Sequence, residues 1–83
     1  MPAARSFEQL KGELSRAYPG LSPQLQSIAS YALENPQDMA LDTVARLAKG
    51  IGVQPSAMVR FAQALGYGGF SDLQRVFRSR LVE

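Results

Sequence analysis

The chain contains neither cysteine nor histidine. Without cysteine it forms no disulfide and offers no thiolate as a nucleophile or metal ligand. Without histidine it lacks the commonest general base and the commonest metal-binding side chain. No nucleophile–base pair, metal-ligand cluster or phosphate-binding loop is visible, so we expect neither an enzyme nor a cofactor. A chain without disulfides suits the cytosol.

Long apolar runs are absent as well. No stretch approaches the roughly 20 apolar residues of a membrane-spanning helix, and residues 1–10 have no hydrophobic signal core. The 83 residues are enough for one small domain. Their 46% hydrophobic and 19% charged content fits a folded chain rather than a disordered one. We therefore expect one globular domain and no membrane partner.

Charge is distributed unevenly along the chain. Residues 1–45 carry three basic and five acidic side chains, whereas residues 46–83 carry six basic and two acidic ones. This asymmetry is typical of a second half that meets an anionic partner. A solvated surface that happens to be basic explains the charge equally well.

Apolar residues recur at steps of three and four along five segments, and Pro and Gly separate these segments. The pattern predicts an all-α fold, a compact five-helix bundle over residues 6–83 that follows a flexible leader, residues 1–5. The short stretch "QDMAL" (37–41) is predicted to be a connection of at most one helical turn, with Met39 and Leu41 inward. The segment predictions also turn Leu33 and Leu81 toward the core.

Helix starts are predicted from side chains that can accept a hydrogen bond from the first free backbone N–H groups. Ser6 and Ser71 are each followed three residues later by glutamine, which is the spacing of a capping box. Ser22 precedes Pro23, which favours the first helical position. Asp42 is the predicted cap of the third helix.

The third and fourth predicted helices are short and are joined by about three residues around Gly52. Ala48 is small where two helices approach closely, and Gly52 can take the positive φ of a tight turn. Met58 and Phe61 then return the next helix, predicted to run from Pro55 to Leu65, to the core. These offsets predict a helix-turn-helix.

In a helix-turn-helix the second helix lies in the DNA major groove. Arginine can donate two hydrogen bonds to guanine, and glutamine can pair with adenine. Thr43 and Lys49, at the two ends of the preceding helix, are candidates for phosphate contact. The candidate outward residues of the second helix are Gln54, Ser56, Ala57, Arg60, Gln63 and Tyr67.

Several of these residues have a purely structural alternative. Tyr67 could instead close the core beneath the glycines, and Lys49 could favour its helix C-terminus electrostatically. The same local effect explains Arg75, Arg78 and Arg80, near the end of the last helix. Asp38 and Asp42 are four residues apart, but two carboxylates without histidine make a weak metal site.

Three segments carry a resemblance to a known family: "SIASYALENP" (27–36), "VARLAKGIGV" (44–53) and "MVRFAQALGYGGFSDL" (58–73). With their spacing, they make residues 21–81 similar to the N-terminal DNA-binding domain of the RpiR family of bacterial transcription regulators. The resemblance implies a cytoplasmic, nucleoid-associated regulator that represses or activates sugar catabolism genes. It implies a C-terminal sugar isomerase-type domain that binds a phosphosugar and supports dimerisation, and a fragment that ends before that domain.

Two positions depart from the family pattern. Relatives usually carry serine at the position of Gln54 and often threonine or serine at that of Ala57. We expect these changes to alter the preferred operator. Arg60 matches the arginine of the family.

The main alternative is a helical module for protein–protein interaction or dimerisation. An apolar outward stripe would favour that function, whereas Ser56, Arg60 and Gln63 favour DNA. The first helix is a candidate dimer contact through Phe7, Leu10 and Leu14, and a homodimer would match a palindromic operator on double-stranded DNA.

Overall fold

Proline and glycine set most of the helix boundaries in the structure, a computed structural model that describes residues 4–82. Pro23, Pro36 and Pro55 each occupy the first turn of a helix, where their missing N–H has no intrahelical partner to lose. Short 3-10 turns, Tyr18–Gly20 and Arg80–Val82, follow the first and last helices. The α-helices in the described range are α1 (Phe7–Ala17), α2 (Pro23–Glu34), α3 (Pro36–Leu41), α4 (Val44–Ile51), α5 (Pro55–Ala64) and α6 (Phe70–Ser79).

The predicted all-α class is confirmed, with six α-helices in residues 4–82 where five were expected. The additional helix is α3, which replaces the predicted connection. Asn35 and Pro36 end α2, but Pro36 also fits the first turn of a helix, so α3 begins directly after α2.

Two of the predicted caps are confirmed and two are wrong. The Oγ of Ser6 accepts from the Gln9 N–H, and that of Ser22 accepts from the Leu25 N–H. Asp42 is not the cap of its helix. The next residue, Thr43, caps α4, and its side-chain oxygen accepts from the Arg46 N–H at 3.2 Å. Helix α6 begins at Phe70 after an extended Gly69, so Ser71 lies inside its first turn.

All six helices contribute buried side chains to one hydrophobic core. Its largest fully buried side chains include Phe61 and Phe77, and Phe7 packs edge-to-face on Phe77 with ring centroids 5.6 Å apart. Helix α6 packs on α1, α3 and α5, while α2 packs on α3, α4 and α5. The helix pair α4–α5 therefore rests on both α2 and α6.

Three side chains predicted to be inward are exposed instead. Leu41 is 62% exposed because Met39 and Ala40 already fill the face of α3 that meets α6. Leu33 lies beside the narrow buried stripe of α2, which consists of Ile28, Ala29 and Ala32. Leu81 follows the end of α6, in a 3-10 turn where the α-helical repeat no longer applies.

Side chains of α6 hold the α3–α4 connection. The Gln74 amide donates to the carbonyls of Asp42 and Met39, at 2.7 and 3.2 Å. Arg78 donates from Nε to the Ala40 carbonyl at 2.9 Å. These bonds satisfy carbonyls at the C-terminus of α3, which have no intrahelical partner. Gln74 thus fixes the start of α4 instead of completing a capping box.

The predicted leader, residues 1–5, is described only at Ala4 and Arg5. The Ala4 carbonyl accepts from the Tyr67 hydroxyl at 2.7 Å, and the Arg5 N–H donates to the Gln9 side chain at 3.1 Å. Residues 1–3 of this prediction lie outside the described residues. Over the range 4–82, no helix is long and apolar enough to cross a membrane.

Two neighbouring glycines should respond in opposite directions to alanine. Gly52 has φ 90° and Gly50 is helical, and neither has an atom within 4 Å of an added Cβ. We expect Gly52→Ala to lower the free energy of unfolding by about 1–2 kcal/mol through backbone strain. Gly50→Ala should raise it by up to about 1 kcal/mol through helix propensity. Urea titrations of both variants measure this, and equal effects would contradict the left-handed turn.

Candidate nucleic-acid interface

The α4–α5 connection is a three-residue turn, residues 52–54. Gly52 takes the left-handed conformation, with φ 90° and ψ 32°. The Ala48 carbonyl accepts from the N–H groups of both Gly52 and Val53, at 2.8 and 3.0 Å. Gln54 is extended, and Pro55 starts α5. The predicted helix-turn-helix is confirmed in its turn and its glycine, and Ala48 is buried.

One face of α5 is apolar and buried, and the opposite face is exposed and mostly polar. The buried side chains are Ala57, Met58, Phe61 and Ala62. Ser56, Arg60 and Gln63 are exposed, and their spacing of four and three residues places them on one side. Gln54 is also exposed, just before α5, and it makes no side-chain cap bond. This exposed side is called the α5 face below.

Ala57 and Tyr67 do not belong to the α5 face, so their predicted outward positions are wrong. Ala57 is fully buried because it precedes Phe61 by four residues and shares its inward side. Tyr67 lies beyond the helix, after Gly66 turns the chain at φ 93°, and only 8% of it is exposed. The alternative interpretation of Tyr67, as a residue that closes the core, agrees with this position.

Burial, reinforced by the negative charge of Glu13, raises the pKa of Tyr67 above its usual value. Its hydroxyl therefore stays protonated at neutral pH and can donate to the Ala4 carbonyl.

Position 57 is buried, so the serine or threonine hydroxyl expected there in relatives would not lie on the surface. The departure from the family pattern at Ala57 therefore concerns packing beneath α5.

Thr43 and Lys49 lie at opposite ends of α4, and both are exposed. The Thr43 hydroxyl oxygen already accepts the N–H that caps α4, which leaves its proton free to donate. Arg46 is 3.8 Å from the Asp42 carboxylate, in a highly exposed pair. Such exposed pairs contribute little to stability.

The helix-turn-helix carries positive charge with little local compensation. The stretch from Thr43 to Ser71 contains no Asp or Glu. Within residues 4–82, neither Lys49 nor Arg60 has a carboxylate within salt-bridge distance. Uncompensated cations of this kind attract a polyanion such as the DNA backbone.

The fold adds two residues to this surface that the sequence interpretation missed. Arg60 donates from Nη2 to the Gln24 Oε1 at 3.5 Å, so the first turn of α2 borders the α5 face. Since 36 residues separate the two, no local pattern could have found this contact. Val59 is exposed on the α5 face, three residues after Ser56. Its helical spacing from Ser56 and Gln63 is the sequence signal that places it on this side.

The two carboxylates considered for a metal both have structural partners. Asp38 accepts from the Tyr31 hydroxyl at 3.0 Å, and this bond is the main cause that raises the pKa of Tyr31. Asp42 accepts from the Thr43 N–H at 3.0 Å. Across residues 4–82, no group of three or more Asp, Glu, His or Cys side chains is placed to hold a metal ion.

The fold and the α5 face together define a helix-turn-helix domain of the DNA-binding class. The family described as "Helix-turn-helix domain, rpiR family" matches residues 8–82, and the chain belongs to this family. The resemblance drawn from the sequence is thereby confirmed. The family is one of transcription-regulator domains and not of enzymes.

The chain is also similar to a curated bacterial protein, the "uncharacterized HTH-type transcriptional regulator YfhH" of Escherichia coli (strain K12). The two are 36% identical over 69 residues. The match covers 83% of this chain and 24% of that protein, so the chain spans about a quarter of the relative's length.

Removing the Tyr67 hydroxyl tests its position in the core. We expect Tyr67→Phe to lower the free energy of unfolding by about 0.5–1.5 kcal/mol, because the bond to the Ala4 carbonyl is lost. DNA affinity should not change. A loss of affinity with unchanged stability would return Tyr67 to the DNA interface.

The difference in the free energy of unfolding between wild type and Tyr67→Phe should depend on pH. Since the folded pKa of Tyr67 is raised, its contribution to stability is complete below the unfolded value of about 10. It is lost as pH rises through the folded pKa. Urea titrations from neutral to strongly alkaline pH should therefore show the difference between wild type and Tyr67→Phe shrinking. A constant difference would contradict the raised pKa.

Proposed function

We propose that this domain binds double-stranded DNA sequence-specifically, with α5 in the major groove. The observation that carries the proposal is the α5 face, where exposed Ser56, Arg60 and Gln63 lie on one side of a helix within a stretch, residues 43–71, that contains no Asp or Glu. Base edges in the major groove offer the acceptors and donors that these side chains match. The N-terminal part of the second helix meets base edges in this class of domain.

Arg60 is the residue proposed to read guanine. Its guanidinium has five N–H donors, and the contact with Gln24 uses one of them. The remaining donors suffice for a bidentate bond to guanine O6 and N7. Gln63 is proposed to pair with adenine, and the short Ser56 to allow close approach at the start of α5, where the exposed Gln54 is proposed to contact DNA.

Thr43 and Lys49 are proposed to contact the phosphate backbone. The free hydroxyl proton of Thr43 suits a phosphate oxygen, and Lys49, which has no salt bridge within residues 4–82, supplies a positive charge near the turn. Contacts of this type fix the orientation of the protein without reading sequence. The effect of losing such a contact can therefore be distinguished by experiment from the effect of losing Arg60.

Fluorescence anisotropy titrations at two salt concentrations, with a duplex selected from random DNA, test both roles. We expect Arg60→Ala to weaken binding by about 1–3 kcal/mol and to relax preference at one base pair. Lys49→Ala should weaken binding to all sequences alike and lower the salt slope by about 1. The matched control is Arg75→Ala, because Arg75 lies on α6 and pairs with Asp72 at 3.3 Å.

The control should bind almost as tightly as wild type. Affinity that does not depend on salt, or equal losses for Arg60→Ala and Arg75→Ala, would exclude this interface. A chain that binds no DNA but captures a protein through the α5 face would instead support the interaction-module alternative.

We further propose a cytoplasmic regulator that controls carbohydrate genes in response to a phosphosugar bound by a C-terminal domain. The resemblance to the RpiR family supports this proposal, and so does the much greater length of the curated relative. Sugar-metabolism genes beside the coding gene would support the pathway. Unrelated neighbours, together with a full-length regulator whose DNA affinity ignores phosphosugars, would reject it. Reporter assays decide between repression and activation.

Homodimeric binding to a palindromic operator belongs to the same proposal. The contact first considered for it, the apolar side of α1, is wrong for this purpose: Phe7, Leu10 and Leu14 are buried in the core. We expect the selected DNA sites to contain two inverted half-sites if the regulator pairs. Single half-sites, with a monomer in sedimentation at high concentration, would remove the dimer for this chain.

A further inference from the structure

Val59 is an apolar side chain on the otherwise polar α5 face. It is 39% exposed, and it is the one large hydrophobic residue on α5 that is exposed in the described part of the chain. It follows Ser56 by three residues and precedes Gln63 by four, so the three share one side of the helix. Val59 therefore faces the same partner as the polar residues proposed to read bases.

Neither helix formation nor core packing explains valine at this position. Valine has a lower helix propensity than alanine or most polar residues, because its branched Cβ restricts the side chain. The core beneath α5 is supplied by Met58 and Phe61, which are fully buried. An exposed valine here thus lowers local helix stability relative to alanine, and Val59 is not among the buried residues of the core.

The stiffness of valine is an advantage in a contact that must be made at one place. In a helix its χ1 is held in one strongly preferred rotamer. Its two methyl groups are therefore already oriented, and little side-chain entropy is lost when they meet a partner. A rigid apolar contact between polar neighbours suits a small apolar feature in a polar surface.

The DNA major groove offers one such feature, the C5 methyl group of thymine. We propose that Val59 reads a thymine methyl and so determines specificity at one A·T base pair. This inference rests on the proposed DNA binding of α5. It assigns a DNA contact to Val59, which takes part neither in the proposed hydrogen bonds to bases nor in the proposed contacts to phosphates.

The experiment removes the methyl group from the DNA. Uracil differs from thymine only by lacking the C5 methyl, so each thymine of a duplex selected by wild type is replaced in turn by uracil. We expect one replacement to weaken binding of the 83-residue chain about fourfold, the effect of one buried methyl-sized group. Val59→Ala should bind the thymine duplex about as weakly and should not distinguish the two duplexes.

Val59→Thr keeps the branched shape and one methyl, so it should retain part of the discrimination. Arg60→Ala is the matched control, since it should weaken binding and still distinguish thymine from uracil. Folding is not at risk in Val59→Ala, because the site is exposed and alanine favours the helix.

An absent uracil effect, or the same effect in wild type and Val59→Ala, would overturn the assignment, because the methyl would then act through DNA shape or not at all. Failure of wild type to bind any selected duplex is a different result, which would reject the proposed function itself. Sequence-specific binding that depends on Arg60 but not on the thymine methyl would reject the role of Val59 alone.

Discussion

The left-handed turn at Gly52 is the constraint on which the α5 face depends, because it sets how α5 leaves α4. The Ala48 carbonyl accepts two successive N–H groups there, at 2.8 and 3.0 Å, which closes the end of α4. Residues with a Cβ rarely adopt this conformation, and glycine adopts it without strain. Because Ala48 is small and buried, the two helices can approach each other. The direction of α5, and with it the α5 face, follows from this turn.

The rest of the domain holds that helix pair from two sides. Helix α6 bonds through Gln74 and Arg78 to the α3–α4 connection, which fixes where α4 begins. Phe61, on the side of α5 opposite the α5 face, anchors the helix in the core. Helix α2 packs against both members of the pair and brings Gln24 to Arg60. A surface built in this way is presented by a rigid scaffold and not by a loop.

The sequence predicted the helices well where local chemistry decides their ends. Ser6 and Ser22 cap as expected because each side chain bonds a backbone N–H only three residues away. The prediction of helix ends failed where the side chain forms hydrogen bonds to residues distant in the sequence. Gln74 has the spacing of a capping box, but its side-chain amide donates to the carbonyls of Met39 and Asp42, more than 30 residues away, and not to the start of its own helix.

The candidate interface shows the same division. The spacing of Ser56, Arg60 and Gln63 already identified one exposed side, and the structure agrees with it. Ala57 was misplaced although it precedes Phe61 by four residues, a spacing that already indicates the buried side of α5.

The sequence by itself determined the all-α class, the turn at Gly52 and the polar stripe of α5, since helical period, capping and glycine conformation are local properties. Tertiary structure decided which residues near that stripe are available to a partner. It withdrew Tyr67, whose hydroxyl reaches a carbonyl 63 residues away, and it added Gln24 beside Arg60. Contacts over such separations arise only when the helices pack, so the edges of the surface belong to the fold.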